Sequence, residues 1–550
     1  MRFDPMNPHP SLCQTLCAAI LTTGFAAMPG ILATEPLRSG ILVKEAKMDI
    51  VANGAAIGFV KIPQGTRVMV LSTNAAGDLL IKRNAGETPF AVPQDSVSIE
   101  APAETPSPTP AGPKIEPPVQ SPAPSATPAP IPTATVAPAS PGSKEPSTAE
   151  VNKALGIPLF GSGSLWEEND AMVANRLRWP QESKTSREGG YRRYPYTFNS
   201  ETRVLGARSL CLFLQGLDDK VARVSILFAN KGDVAFFMSA QEAKQQSAKK
   251  DQPLAVTDHM LKGCREAMKK DRERLEAALK ALFGDARPAR VGRFATTAEA
   301  GQRWDWKGHT FMLVTPQNEY VALRIVPTTV FDDADSSRKS FTAAKAALSK
   351  RVERRENGDV VITDLPMVDQ GRKGYCVPAT FERVLRYYGL SEDMNVLAMA
   401  GQTDAGGGTS IQAIQSATYA MIRDAGGNIT QRNFSGNIQE IKSAIDAGKP
   451  ILFGHYSTEE FNKRVNERME HRVAVTDWEK WRTEFLPSLK KTIPLKPDPR
   501  YGHICLIIGY NAKTHEIAIS DSWGLQATER WMTEEEARQI QQPGALSVIE

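Results

Sequence analysis

Between residues 101 and 150 the sequence carries 15 of its 38 prolines, interleaved with Ala, Ser and Thr and without one aromatic residue. Such a stretch cannot bury enough apolar surface to offset its chain entropy, so no hydrophobic core can run through it. Residues 100–150 are therefore expected to be a disordered, semi-extended tether. In a polyproline II conformation it reaches up to about 150 Å. The chain must fold on either side of it as separate bodies, and 550 residues suit two to four domains.

Composition narrows the function classes. Lys plus Arg (66) and Asp plus Glu (62) leave a net charge of +4, well mixed along the chain, which argues against a dedicated nucleic-acid binder. After residue 34 no apolar run approaches the 18 residues that span a bilayer, so no integral membrane span is expected beyond the leader. Six cysteines are too few for a disulfide scaffold. None shows the paired spacing of a structural zinc site, and no metal or other cofactor is indicated. Residues 1–34 hold an apolar core at 12–27 with Gly24, Ala26 and Ala27 at its end. They read as a secretory signal peptide, with an uncleaved apolar leader as the alternative, and imply a secreted, periplasmic or cell-envelope protein.

Residues 40–99 alternate short apolar runs with turn residues and predict a small all-β module. The order Ile62-Pro63-Gln64-Gly65-Thr66-Arg67-Val68-Met69-Val70-Leu71, followed by Gly77-Asp78-Leu79-Leu80-Ile81, resembles bacterial Src-homology-3-like barrels of cell-envelope proteins. That resemblance implies a barrel that either binds peptide or cell-wall material or serves as a spacer. Residues 151–355 predict a second, α+β domain without a catalytic constellation. In it, 204–214 pairs with 221–228 across Gly216-Leu217-Asp218-Asp219, and 310–315 pairs with 320–326. A helix carries Leu275, Leu279, Leu282 and Phe283 and stops at Gly284. Cys211 and Cys264 either pair or stay as buried thiols, and a removable inhibitory role for this domain is open.

The chemistry concentrates after residue 358. Cys376 opens a helix: Pro378 suits its first turn, Phe381, Val384, Leu385 and Tyr388 form one apolar stripe, and Gly389 stops it. A thiol at a helix N-terminus is pushed toward thiolate by unpaired backbone N–H groups and the helix dipole. Six residues upstream, Gln370 can donate to a developing oxyanion, with the Cys376 backbone N–H as the second donor. Downstream, Gly502-His503-Ile504-Cys505-Leu506-Ile507-Ile508 reads as a buried strand that begins with a base able to take the thiol proton. A further strand at 516–520 ends at Asp521-Ser522-Trp523-Gly524, and Asp521 is placed to orient the imidazole. The remaining histidines of the mature chain, His455 among them, lack matching partners.

Gln-x5-Cys at a helix start, Gly-His on an apolar strand and Asp-Ser-Trp-Gly together resemble the papain-like cysteine peptidases. The nearer likeness is to the double-glycine, bacteriocin-processing branch. The resemblance covers residues 358–550 and implies a helix bearing the cysteine against an antiparallel sheet bearing the histidine and the acid. By it, Cys376 is nucleophile, His503 general base and acid, Asp521 the orienting group and Gln370 the oxyanion donor, acting on a protein or peptide substrate. Tyr375-Cys376-Val377 replaces the Cys-Trp step of papain proper, and Asp521 stands where papain relatives carry Asn. Both departures favour the double-glycine branch. The competing readings are an inactive fold kept as a peptide- or wall-binding module, a peptidoglycan amide hydrolase, and a transglutaminase-like acyl transferase. Residues 457–499, with Trp478, Trp481 and Phe485, are expected to be an insertion beside the cleft or a simple covering helix.

Overall fold

The computed structural model describes residues 38–99, apart from 45, 53–54, 63–66, 74–76 and 83–89, and residues 145–550, apart from 199–200, 249–253, 293, 295, 332–335, 406–407 and 490–493. The expected leader and most of the expected tether lie outside the described residues. Two compact units contain the rest.

In the first unit, alternation of apolar side chains gives an antiparallel five-stranded sheet. Its order is Phe90–Val92, Leu79–Lys82, Arg67–Thr73, Arg38–Leu42, Val97–Ile99, and Ala46–Ala52 pairs with Ala55–Ile62 as a separate hairpin. Leu42, Val68, Val70, Leu79, Ile81, Val92 and Val97 make its small core. Among the described residues this sheet is open, half of a barrel.

The second unit starts at Glu145, ahead of the expected end of the tether. Ser147 and Glu150 form a capping box that opens the helix Thr148–Leu155. An eight-stranded antiparallel sheet follows, in the order Arg287–Val291, Glu299–Trp306, His309–Val314, Tyr320–Pro327, Lys220–Asn230, Cys211–Leu217, Glu188–Arg193, Gln181–Lys184. Both expected hairpins are present, but the first arm of the first begins at Cys211 rather than at 204, since Arg203–Val204 and Ala207–Arg208 pair with each other in a small sheet of their own. Leu217 faces Lys220 across Asp218-Asp219, whose φ values of 50° and 60° make the two-residue turn that matches strand twist. The expected helix is 26 residues long, Asp258–Phe283, with Met260, Cys264, Met268, Leu275 and Leu279 buried. Cys211 and Cys264 are free and sit in different clusters of the core, so the disulfide alternative is not realised.

A second eight-stranded sheet has the order Val352–Arg354, Asp359–Ile362, Gly502–Asn511, Ile451–Tyr456, Gln541–Ile549, Ile429–Arg432, with Glu516–Ser520 pairing to Gly502–Asn511 and Arg530–Thr533 beyond it. The helix Cys376–Tyr387 is buried over its whole length, where the sequence suggested one apolar stripe. Phe381, Val384, Leu385 and Tyr388 pack into the sheet's core. The opposite face meets the first sheet: Arg386 pairs with Glu188 and Glu382, while Ala379 and Tyr375 share a cluster with Cys211, Leu227 and Tyr320. Residues 151–355 and 358–550 thus share buried surface within one compact unit.

Candidate active site

The helix bearing Cys376 begins at that residue, with Tyr375 at its N-cap, and leaves Cys376 only 1% exposed. One turn on, the Thr380 hydroxyl lies 3.4 Å from the Ile504 carbonyl and 3.1 Å from the Ser522 hydroxyl. Arg383 donates to the Ser520 carbonyl at 3.1 Å and to the Pro366 carbonyl at 2.9 Å. These bonds seat the first turns of the helix on the backbone beside His503 and Asp521. The Gln370 backbone N–H donates to the Ser522 carbonyl at 3.0 Å, which ties the loop ahead of the nucleophile to the turn that follows Asp521. The Gln370 side-chain Nε2 donates to the Lys373 carbonyl at 3.0 Å. These bonds bring the loop of Gln370 and the helix that Cys376 opens against the strand ends that carry His503 and Asp521, three stretches of chain in all.

His503 is the second residue of its strand and 5% exposed. Its Nε2 lies 2.9 Å from Asp521 Oδ1, and Arg530 Nη1 lies 2.6 Å from the other carboxylate oxygen. Burial alone would raise the Asp521 carboxyl, but the Arg530 guanidinium and His503 hold it well below the usual carboxylate range. An ionised carboxylate can only accept, so the proton between the pair sits on Nε2, which leaves Nδ1 as the nitrogen open to exchange a proton with another group. Arg530 is fixed in turn by Asn462 Oδ1 at 2.8 Å. The Trp523 ring covers His503 at 4.8 Å between centroids, which keeps water from the His503–Asp521 bond.

Sequence reasoning missed Arg530, Asn462 and His455. His455 stands directly opposite His503 on the neighbouring strand, with ring centroids 5.3 Å apart, and stacks on Phe453. Burial, followed by the charge of His503, pushes it down to about 3 and keeps it neutral. No local pattern announces these residues, since strand register and a helix contact 68 residues away in sequence create their roles.

Among the described residues, His455, Cys505 and Asp521 are a buried group whose donor atoms lie within 4.8 Å of one another. They fit a cation poorly. Both Asp521 oxygens are already bonded, and the nearby Arg530 would repel a metal ion. Cys505 is held as a thiol, pushed well up by burial and by Asp521, and no disulfide joins it to Cys376.

The region expected as an insertion beside the cleft or a covering helix lies beside the site only in its first part. The helix Glu459–Val473 starts near the site, where Phe461 meets His455 edge-on, and ends at the far end of the sheet. There Arg472 bonds Asp359 and Glu516, and Trp481 Nε1 donates to Glu516 at 3.0 Å. Glu516 pairs with Asn511, eight residues along the strand from His503, so the tryptophan-rich part sits roughly 25 Å from the imidazole.

A buried histidine with a hydrogen-bonded acid, on a strand against which a helix opened by a cysteine packs, is the equipment of a cysteine peptidase. Residues 362–542 match the Peptidase_C39 like family, which supports a papain-like cysteine peptidase domain in this part of the chain. One solved structure with some likeness is xylellain, a cysteine protease from Xylella fastidiosa, at 16% identity over 38% of this chain and 88% of that one, with a TM-score of 0.23. No curated protein matches the chain.

Proposed function

We propose that this chain is an exported cysteine peptidase that hydrolyses peptide bonds through an acyl-enzyme on Cys376. The observation that carries the reading is the buried line Arg530, Asp521, His503 beside the helix that Cys376 opens. His503 Nδ1 takes the thiol proton, the thiolate attacks the peptide carbonyl carbon, and the imidazolium returns the proton to the leaving amine. Water then releases the acyl group with His503 as base. Gln370 and the Cys376 N–H stabilise the oxyanion, a role in which a lost donor costs about 10² to 10³ in rate.

The double-glycine branch is supported by the carboxylate at Asp521 and by the family matched over 362–542. Export is supported by the composition of residues 1–34, and envelope association by the all-β module ahead of the tether. Wall material is a second partner class for that module. The near-complete burial of Cys376, at 1% exposed, favours one other reading, an inactive peptidase fold that binds peptide.

The test is turnover of fluorescently labelled denatured casein and of isolated cell-wall peptides by the purified chain and by Cys376→Ala. Casein cleavage that needs a reductant and vanishes in the variant supports the peptidase. Release of wall peptides alone would favour the amide hydrolase, and binding of either without turnover the inactive module.

A further inference from the structure

The peptidase sequence leaves unexplained a buried cation three residues before the nucleophile. Lys373 is 2% exposed, and its ammonium lies 3.2 Å from Asp233 Oδ2, which belongs to the segment between tether and peptidase. Both side chains are buried. Such a pair is a poor stabiliser, since desolvating two ions cancels most of their attraction and well-packed apolar residues would hold the segments as well. A use in fixing geometry accounts for it better.

The surrounding bonds indicate which geometry. The Lys373 carbonyl accepts from Gln370 Nε2 at 3.0 Å and from the Tyr375 N–H at 2.8 Å. Asp233 Oδ2 also accepts from Asn230 Nδ2 at 2.7 Å, and Asn230 Oδ1 accepts from the Tyr375 hydroxyl at 3.1 Å. Gly232 lies flat against that ring: a Cβ there would fall 2.4 Å from it. Residues 230–233 therefore grip Lys373 and Tyr375, which frame the Gln370 amide on one side and Cys376 on the other.

We propose that Asp233 is a positioning residue for the peptidase reaction, holding the Lys373 backbone where it aims the Gln370 amide at the oxyanion. Residues 145–355 are then a built-in half of the catalytic unit rather than a detachable inhibitor. The inference rests on the cysteine-peptidase reading above.

The test uses the full chain and Asp233→Asn, with three readouts: casein turnover, alkylation of Cys376 by iodoacetamide, and inhibition by a peptide aldehyde. The aldehyde adds the thiolate to its carbonyl carbon, and the resulting oxygen takes a proton or stays charged in the oxyanion site, so its affinity reports that site. Asp233→Asn is expected to lower kcat about 10- to 100-fold with KM within about twofold, weaken the aldehyde by a similar factor, and leave alkylation within about twofold. If wild type turns over casein and Asp233→Asn matches it in kcat and aldehyde affinity, the positioning role is wrong while the peptidase reading stands. A wild type with neither turnover nor aldehyde binding sinks both.

Should Asp233→Asn not fold, Asp233→Asn/Lys373→Met removes the stranded charge. Recovery of folding with kcat still reduced supports positioning. Recovery of folding with full kcat, or failure of both variants to fold, assigns the pair to folding and overturns the proposal.

Discussion

Arg530→Met tests the electrostatics of the site without any substrate. The guanidinium touches Asp521 at 2.6 Å, and both side chains are buried. Opposite charges centred about 4 Å apart attract by about 4 kcal/mol at an effective dielectric of about 20. At 1.36 kcal/mol per pKa unit, removing the cation moves the Asp521 carboxyl upward by roughly three pH units. Burial is the largest influence on this group and acts in the same upward direction once the cation is gone. A protonated Asp521 no longer steadies the His503 imidazolium, and with it the Cys376 thiolate.

The assay is the rate of iodoacetamide alkylation at Cys376 against pH, followed by mass spectrometry. The acid limb in Arg530→Met is expected roughly 1–3 pH units above wild type, with Arg530→Lys shifted by less than about one. In wild type Asp521 is depressed, so it stabilises the fold above the unfolded value of about 3.9 and loses that contribution as pH falls through its folded value. In Arg530→Met the buried carboxylate, left with His503 as its one partner of the two, costs up to about 3–5 kcal/mol at neutral pH, and acid relieves it. Acid limbs that superimpose in a folded variant would refute the idea that Arg530 keeps Asp521 ionised.

His455 is held neutral, at about 3 against an ordinary 6.5. The unfolded chain gains a proton there below about pH 6.5, so folding should lose roughly 4–5 kcal/mol between pH 6.5 and 3 from this group, and urea midpoints of His455→Phe should vary less over that range. Arg472→Met strands Asp359 and Glu516, both buried, and should lower stability by about 3–5 kcal/mol in urea while Cys376 alkylation of the folded protein is unchanged. A loss below about 1 kcal/mol would contradict the anchoring role. Gly448 has φ 73°, and a Cβ there would meet the Leu348 carbonyl oxygen at 2.1 Å. Gly448→Ala should therefore cost more than about 1 kcal/mol by thermal melting, from backbone strain and displacement of that carbonyl.

Local rules were enough for much of this protein. Asp218-Asp219 marked a hairpin whose turn needs positive φ, and Pro378 and Gly389 bracketed the helix that Cys376 opens. Cys376, His503 and Asp521 could be singled out because each sits at an element boundary that turn and capping chemistry makes visible, and Gln370, in the loop ahead of the helix, by its spacing from Cys376. Arg530, His455 and Asp233 could not be read that way. They act through strand register and through a seam between two sheets, and contacts between residues 9 to 140 positions apart leave no periodic trace. The helix Cys376–Tyr387 shows the limit most clearly. Its pattern predicted one buried face, yet Glu382 and Arg386 are buried too, because a neighbouring sheet supplies the partner charge. Sequence thus determined which side chains are candidates for the chemistry, since that depends on residue type and local geometry. Only the tertiary structure decided what holds them, since buried charges become tolerable only where distant segments of chain bring their counter-charges within hydrogen-bonding reach.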